Sequence, residues 1–208
     1  MDIMSGLPFR ELHEAEHGDT HMAITSKLMD LISNAKANAK SDNFRDGTGV
    51  AMVEELVSFE GNDGPTFVAR FEIVSSASKG DLDETGKPVT PNAPGSQVGW
   101  VQKLAKFKSS AGNVKAMVLA LIGKTEGEID AEPGLFANMF AGLLAPEQMA
   151  RGMLVNYSTY RQATRSGPNA GKVNTYVAFS AHADNSDEAV AKRRAELDAR
   201  RPLKVASK

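Results

Sequence analysis

A chain of 208 residues is long enough to bury a sizeable core, and with 41% hydrophobic and 24% charged residues it has an ordinary globular composition. The chain has no cysteine, which excludes disulfides, thiolate zinc sites and a cysteine nucleophile and is typical of a reducing cytoplasm. The net charge of −2 argues against a histone-like protein, and no apolar run approaches the roughly 20 residues that cross a bilayer. We therefore expect a cytoplasmic protein without membrane contact.

Residues 1–46 are predicted to form an N-terminal leader followed by a helix. The first 21 residues hold three of the four histidines and have the character of a leader segment. Apolar residues then recur at helical spacing, namely Ile24, Leu28, Leu31 and Ile32. This pattern predicts a helix that begins near Thr20 and ends by Ser41.

Two hairpins and a single strand account for the predicted β-structure. Residues 50–59 and 66–74 are apolar-rich strands around a Gly/Asn/Asp turn, and residues 98–102 form a third strand. Residues 152–165 and 172–182 flank a second turn and form the closing hairpin. Alternation in the second strand places four apolar residues on one face: Phe67, Ala69, Phe71 and Ile73.

Helices and loops separate these strands. A polar loop over 77–95 contains three prolines and three glycines, and a loop of this length is usually functional or mobile. Apolar residues at helical spacing predict helices over 114–122 and 135–144, on either side of an acidic loop over 126–132. Residues 184–208 form a charged helix that ends in a basic tail.

The order of these elements predicts an α+β fold that is mainly β with added helices. We expect a five-stranded OB-like barrel with a helix between strands 3 and 4, plus N- and C-terminal helices. The OB-like domain would span residues 47–183, between the leader and helix of residues 1–46 and the charged helix and tail of residues 184–208. The same spacing also allows an open five-stranded α+β sheet.

One short motif suggests an enzyme. Residues 13–17, His-Glu-Ala-Glu-His, match the H-E-x-x-H pattern in which two histidines on one helical face hold zinc. Gly18 follows the second histidine directly, and no strand precedes the motif to form a cleft wall. A zinc metallopeptidase is therefore a remote alternative to a polar terminal segment. Because no phosphate-binding loop or nucleophile elbow occurs either, we expect no catalysis, no metal site and no cofactor.

Basic residues are segregated from acidic residues in two segments. Residues 96–124 contain five lysines and residues 148–183 contain three arginines and one lysine, and neither segment contains an acid. The two segments hold the predicted third, fourth and fifth strands, so a barrel would bring them together as one acid-free cationic surface. Such a surface is typical of proteins that bind a polyanion.

Aromatic residues are interleaved with these bases, as single-strand binding requires, because bases stack on aromatic rings beside a cationic groove. Tyr157 is in phase with the core positions of its strand, whereas Tyr160 and Tyr176 are out of phase and are the better exposed candidates. Trp100 shares a face with Val98, which makes a core position an equally good interpretation. The candidate nucleic-acid-binding residues are Trp100, Lys103, Lys106, Lys108, Tyr160, Arg161, Arg165, Lys172 and Tyr176.

Three short motifs resemble those of a class of bacteriophage-encoded proteins. They are Gly95-Ser96-Gln97-Val98-Gly99-Trp100, Gly112-Asn113-Val114-Lys115 and Gly171-Lys172-Val173-Asn174. The resemblance covers about residues 47–183 and is to OB-fold single-stranded DNA-binding proteins. It implies a role in phage DNA replication and recombination, in the host cytoplasm. Many such proteins end in an acidic tail, whereas this chain ends in a basic one, which puts recruitment of partners through the tail in doubt.

The sequence thus predicts non-specific binding of single-stranded DNA without catalysis. It leaves open RNA as an alternative to DNA, assembly into a homo-oligomer, and contact with replication or recombination proteins. An alternative from another class is a protein-interaction or structural module of the same fold, such as a virion or assembly component. In that case the strands would pair with other subunits at the edges of the barrel.

Overall fold

A computed structural model describes residues 43–62, 64–83, 85–106, 108–132, 134–145, 147–163 and 170–200. These residues belong to one structural unit, Ser41–Lys208. The predicted N-terminal leader and helix, the His-Glu-Ala-Glu-His segment and the basic tail after residue 200 lie outside the described residues.

All five predicted strands are present, with ends that differ from the predicted ones by a few residues. They are β1 (Thr48–Gly61), β2 (Gly64–Ala77), β3 (Gln97–Lys103), β4 (Leu154–Ala163) and β5 (Val173–Ala181). The described helices are α1 (Lys108–Ile122), α2 (Glu126–Asp130), α3 (Leu135–Leu144) and α4 (Asp187–Arg200). Within these ranges every helix is too short or too polar to cross a membrane.

The helices include one that the sequence reading missed. Helix α3 has the predicted ends, α1 begins at Lys108 rather than at residue 114, and α2 replaces most of the predicted acidic loop. A capping box starts α2, since the Thr125 hydroxyl accepts from the Glu128 N–H while the Glu128 carboxylate accepts from the Thr125 N–H. Carboxylates of the predicted acidic loop therefore help to start a helix.

The five strands form one antiparallel sheet in the order β3-β2-β1-β4-β5. The sheet is open, with β3 and β5 as its two edges. The molecule is thus a mixed α+β structure that is mainly β. Strand β1 pairs with both of its neighbours. It pairs with β2 along its length and with β4 over Thr48–Met52. Two register shifts, at Val50/Ala51 and Val53/Glu55, interrupt its pairing with β2, as bulges that bend a strand do.

The hydrophobic core lies on one face of this sheet. The four alternating residues of β2 predicted to share a face are all fully buried, which confirms the phase of that strand. Helix α1 supplies a second apolar layer from five buried residues: Val114, Met117, Val118, Ala120 and Leu121. The partly buried Val177 and Phe179 of β5 pack against this core. Burial of these side chains stabilises the domain and leaves the opposite face of β5 free of the core.

Helix α4 covers part of the opposite face. Its Leu197 is buried in a small second cluster with Met52 of β1 and Leu154 of β4. Arg193 fixes the start of the helix, donating to the Gly152 carbonyl at 2.6 Å and to an Asp184 carboxylate oxygen at 2.9 Å. The predicted C-terminal helix is therefore confirmed and packs on the outer face of β1 and β4.

Gln148 serves as a strand partner for β1 beyond the end of its pairing with β4. The Leu56 N–H donates to Gln148 Oε1 at 3.0 Å, and Gln148 Nε2 donates to the Leu56 carbonyl at 3.0 Å. The side-chain amide thus reproduces the two hydrogen bonds of a β-ladder. Gln148 itself has a φ of 51°, a backbone conformation that side chains rarely adopt and that these bonds help to hold.

Candidate nucleic-acid interface

Two exposed tyrosines form a stacked pair on the outer face of the sheet. Tyr160 of β4 and Tyr176 of β5 are directly opposite each other in the register of the two strands. Their ring centroids lie 5.5 Å apart with an interplanar angle of 20°. Their exposed fractions are 48% and 40%. Successive side chains of a strand point to opposite faces, which is why these rings face outward while Thr159 and Val177 face the core.

The pair lies on the part of the β4–β5 hairpin that extends beyond β1. Pairing between β1 and β4 ends at Thr48 and Ser158, so among the described residues β4 and β5 pair only with each other from Tyr160 onward. The buried Thr159 holds the base of this segment, because its N–H and its hydroxyl both donate to the Gly47 carbonyl and its hydroxyl accepts from the Gly47 N–H. We call residues 160–163 and 172–176 the tyrosine arm.

The hairpin that carries the arm has bases and no acid between Leu154 and Ala181. Arg161 Nε lies 3.3 Å from Asp46 Oδ2, and a terminal nitrogen of Arg161 donates to the Leu82 carbonyl. Lys172 is exposed directly before β5. Arg165 lies outside the described residues. Asp46 is buried and also accepts a hydrogen bond from the Thr175 hydroxyl at 3.1 Å, so it connects both strands of the arm to the segment before β1.

The prediction of an acid-free surface over residues 96–124 is wrong. Lys115 Nζ lies 2.5 Å from Glu126 and 3.6 Å from Asp130, two carboxylates of α2. Lys124 is 3.8 Å from Glu128 of the same helix. The hydrogen bond between Lys115 and Glu126 raises the pKa of the lysine and lowers the pKa of the carboxyl. A segment without acidic residues can therefore still contact carboxylates in the folded chain. Here this happens because α2 folds back on α1.

In the second segment, residues 148–183, two of the four basic residues also have acidic partners. Arg151 is paired with Asp198 of α4, and Arg161 is paired with Asp46, so both partners come from outside the segment. Of the surface predicted from charge segregation, the β4–β5 hairpin is the part that stays without an acid of its own. The candidate interface therefore contracts from two segments to one hairpin.

The predicted residues of β3 and the turn after it lie elsewhere. Trp100 is half-buried in the core, with its ring 6.2 Å from Phe67 and 5.2 Å from Phe179. Lys103 pairs with Thr66 beside the β1–β2 turn, whereas the tyrosine arm lies beyond the opposite end of β1. Lys106 follows in the turn after β3, and Lys108 is the first residue of α1. The structure thus groups Tyr160, Arg161, Lys172 and Tyr176 in one place and the three lysines in another.

Sequence reasoning missed the amides beside the tyrosine pair. Gln162 and Asn174 are opposite each other two positions further along the arm, so they share the outer face with the rings. On the other side of the rings the same face carries the small residues Ser158 and Ala178. Only the register of the hairpin reveals this arrangement of amides, rings and small side chains, and the register depends on the turn between the strands.

The long loop after β2 is anchored to the same hairpin. Lys79 Nζ donates to the Thr159 carbonyl at 2.6 Å, and the Leu82 carbonyl is the one that accepts from Arg161. Within the loop, Asp83 Oδ1 accepts from the Thr85 hydroxyl and from the Thr85 and Lys87 N–H groups, and these bonds lower the pKa of Asp83. The loop is therefore held against the base of the arm, on the side opposite the tyrosine rings.

In the described part of the chain, no three histidine, aspartate or glutamate side chains are grouped so as to hold a metal ion. The histidine pair of residues 13–17 lies outside that part. No protein-family model matches the chain, and no curated protein sequence is significantly similar to it.

Proposed function

We propose that the chain binds single-stranded nucleic acid, single-stranded DNA in the first place, through the tyrosine arm and without catalysis. The observation that carries this proposal is the exposed, stacked pair of Tyr160 and Tyr176 on a hairpin without acidic residues. An unpaired base has a π-face on each side, and an outward aromatic platform offers it a stacking partner whatever its identity. Phosphates beside the stacked base would meet Lys172, which is exposed directly before β5, whereas Arg161 is held by Asp46 and Leu82.

The strand order supports an OB-like fold for this domain. A five-stranded Greek-key barrel of the OB type, opened between its third and fifth strands, has the order β3-β2-β1-β4-β5 and a helix between β3 and β4. The contact between Trp100 of β3 and Phe179 of β5 bridges the two edges that would close such a barrel. We therefore propose an OB-like barrel with a seam at β3 and β5. This fold agrees with the resemblance to phage single-stranded DNA-binding proteins of replication and recombination.

Removal of both rings tests the stacking directly. We expect the double variant Tyr160→Ala/Tyr176→Ala to bind an unstructured DNA oligonucleotide about tenfold to a hundredfold more weakly, because stacking is worth roughly 1–3 kcal/mol per base. The matched variant Tyr160→Phe/Tyr176→Phe keeps both rings and should bind with close to the original affinity. Fluorescence anisotropy measures the affinity of each protein for labelled single-stranded DNA, duplex DNA and RNA. An alanine variant that binds single-stranded DNA as tightly as the native chain would refute the proposal.

A second variant tests the role of charge at the arm. We expect Lys172→Ala to make the dependence of log K on log salt shallower by about 0.7, the slope that one phosphate contact contributes on a single strand. Lys115→Ala is the matched control, because that lysine already contacts Glu126 and Asp130 and should leave the slope unchanged. Titrations at several salt concentrations give the slopes. Equal slopes for the native chain and the Lys172 variant would show that Lys172 does not contact phosphate.

A further inference from the structure

Four apolar side chains form a patch on the outer face of β1, β2 and β3. Val57, Val68 and Val101 are neighbours in one row across the three strands, and Phe59 lies two positions further along β1. The alternation that buries Phe67 turns this row to the outer face. Val101 is 52% exposed, and none of the four belongs to a hydrophobic cluster of the described residues. We call these four residues the outer apolar patch.

Helix α4 ends close to this patch. The chain enters the helix beside β4, where Asn185 Nδ2 donates to the Leu154 carbonyl at 2.8 Å. The helix ends over β2, where a terminal nitrogen of Arg200 lies 3.0 Å from each carboxylate oxygen of Glu72. It therefore crosses the sheet from β4 in the direction of β3, the strand that carries part of the patch. Val68 is four residues from Glu72 along β2, which is about 13 Å.

We propose that the basic tail, residues 201–208 of the same chain, continues from α4 in extended form and covers the outer apolar patch. Pro202 has no N–H with which to continue the helix. In an extended chain Leu203 and Val205 lie on one side and Lys204 on the other, so the two apolar side chains can face the sheet while the lysine faces water. Eight extended residues reach about 27 Å, which is ample for the distance to the patch. This inference does not depend on the proposed function.

Charge and connectivity favour the basic tail as the occupant. Among the described residues, the outer face between α4 and the patch carries three acids and one base, namely Glu54, Glu55, Glu72 and Arg70. The basic tail contains three bases and no acid: Arg201, Lys204 and Lys208. Residues 1–42 instead join the sheet at the Thr48 end of β1, nine residues or about 30 Å from Val57. A docked tail would hold its bases away from the tyrosine arm, which lies beyond the Thr48 end.

Disulfide trapping in the full chain without nucleic acid tests this docking, since the chain has no cysteine of its own. The variant Val101→Cys/Val205→Cys joins the patch to the basic tail. Val74→Cys/Val205→Cys is the matched control, because Val74 is 45% exposed on the same outer face and lies two residues from Glu72, on the side away from the patch. We expect the disulfide within one chain to form about tenfold faster in the first variant, because docking raises the effective concentration of the two thiols. Trapping that is as fast in the Val74 variant, or disulfides that join two chains instead, would overturn the proposal.

A second measurement serves if a cysteine pair perturbs the fold. A bimane label on the single variant Val101→Cys reports through its emission maximum whether water reaches the patch. We expect the added change Leu203→Asp/Val205→Asp to shift this emission to longer wavelength, because charged side chains do not stay buried against an apolar surface. Ala206→Asp/Ser207→Asp adds the same charge outside the apolar pair and should leave the emission nearly unchanged. The same emission maximum with and without Leu203→Asp/Val205→Asp would show that this segment does not cover the patch.

Discussion

Replacing Gly49 with alanine is expected to lower the free energy of unfolding by about 3 kcal/mol, the upper end of what overpacking usually costs. A Cβ at this position would lie 2.0 Å from the Ser75 carbonyl oxygen and 2.9 Å from the Ser76 Cα. Both atoms belong to the backbone of β2, so no rotation of a side chain can relieve the contact. Strand β1 approaches β2 this closely next to its first register shift, and only glycine fits there.

Gly112 provides the matched control for this substitution. It is exposed in α1, and a Cβ there would meet no atom within 4 Å. We expect Gly112→Ala to stabilise the protein by roughly 0.5–1 kcal/mol, because alanine loses less backbone entropy than glycine in a helix. Urea unfolding monitored by circular dichroism measures both changes from the transition midpoints. A Gly49 variant that unfolds at the native midpoint would show that the two strands do not approach this closely.

Replacing Asp46 with alanine is expected to cost about 3 kcal/mol, the lower end of the range for breaking a buried ion pair. The Asp46 side chain is 5% exposed and that of Arg161 is 26% exposed, so the loss leaves a largely buried guanidinium without its carboxylate. The Thr175 hydroxyl loses its acceptor at the same time. The effect should be largest at the base of the tyrosine arm, where these groups connect β4 and β5 to the segment before β1.

Two comparisons separate the ion pair from a general loss of charge. Glu55→Ala breaks the contact with Arg70, which is 53% exposed, and should cost less than about 1 kcal/mol. In a double-mutant cycle, Asp46→Ala combined with Arg161→Met should cost clearly less than the sum of the two single variants, because the arginine is no longer left uncompensated. Additive costs in chemical denaturation would mean that Asp46 and Arg161 do not interact.

The elements of this fold could be predicted from the sequence because their signals are local. Alternation of apolar residues predicted which face of β2 is buried, the face of Phe67, Ala69, Phe71 and Ile73. The glycine-rich turns predicted the hairpins. The same phase argument correctly placed Tyr157 in the core and Tyr160 and Tyr176 outside it. Direct stacking of the two exposed rings could not be predicted, because it requires the register of the hairpin as well as the phase of each strand.

The electrostatics of the candidate interface could not be predicted in the same way. Asp46 precedes β1 and meets Arg161 of β4, and Asp198 of α4 meets Arg151, so each pair joins distant parts of the chain. The contact of Lys115 with Glu126 spans only 11 positions, yet it depends on α2 turning back on α1. Segregation of charge along a chain therefore identifies candidates for a cationic surface, and the tertiary contacts decide which of them stay uncompensated.

The position of Trp100 gives the molecule an optical signal of its own. It is the one tryptophan of the chain, and its ring lies edge-on to Phe179, between the two strands that end the sheet. Indole emission shifts to longer wavelength when water reaches the ring. The intrinsic fluorescence of the unlabelled protein therefore reports whether β3 and β5 stay together or separate, while the tyrosine pair on the outer face of β4 and β5 is spectroscopically distinct from it.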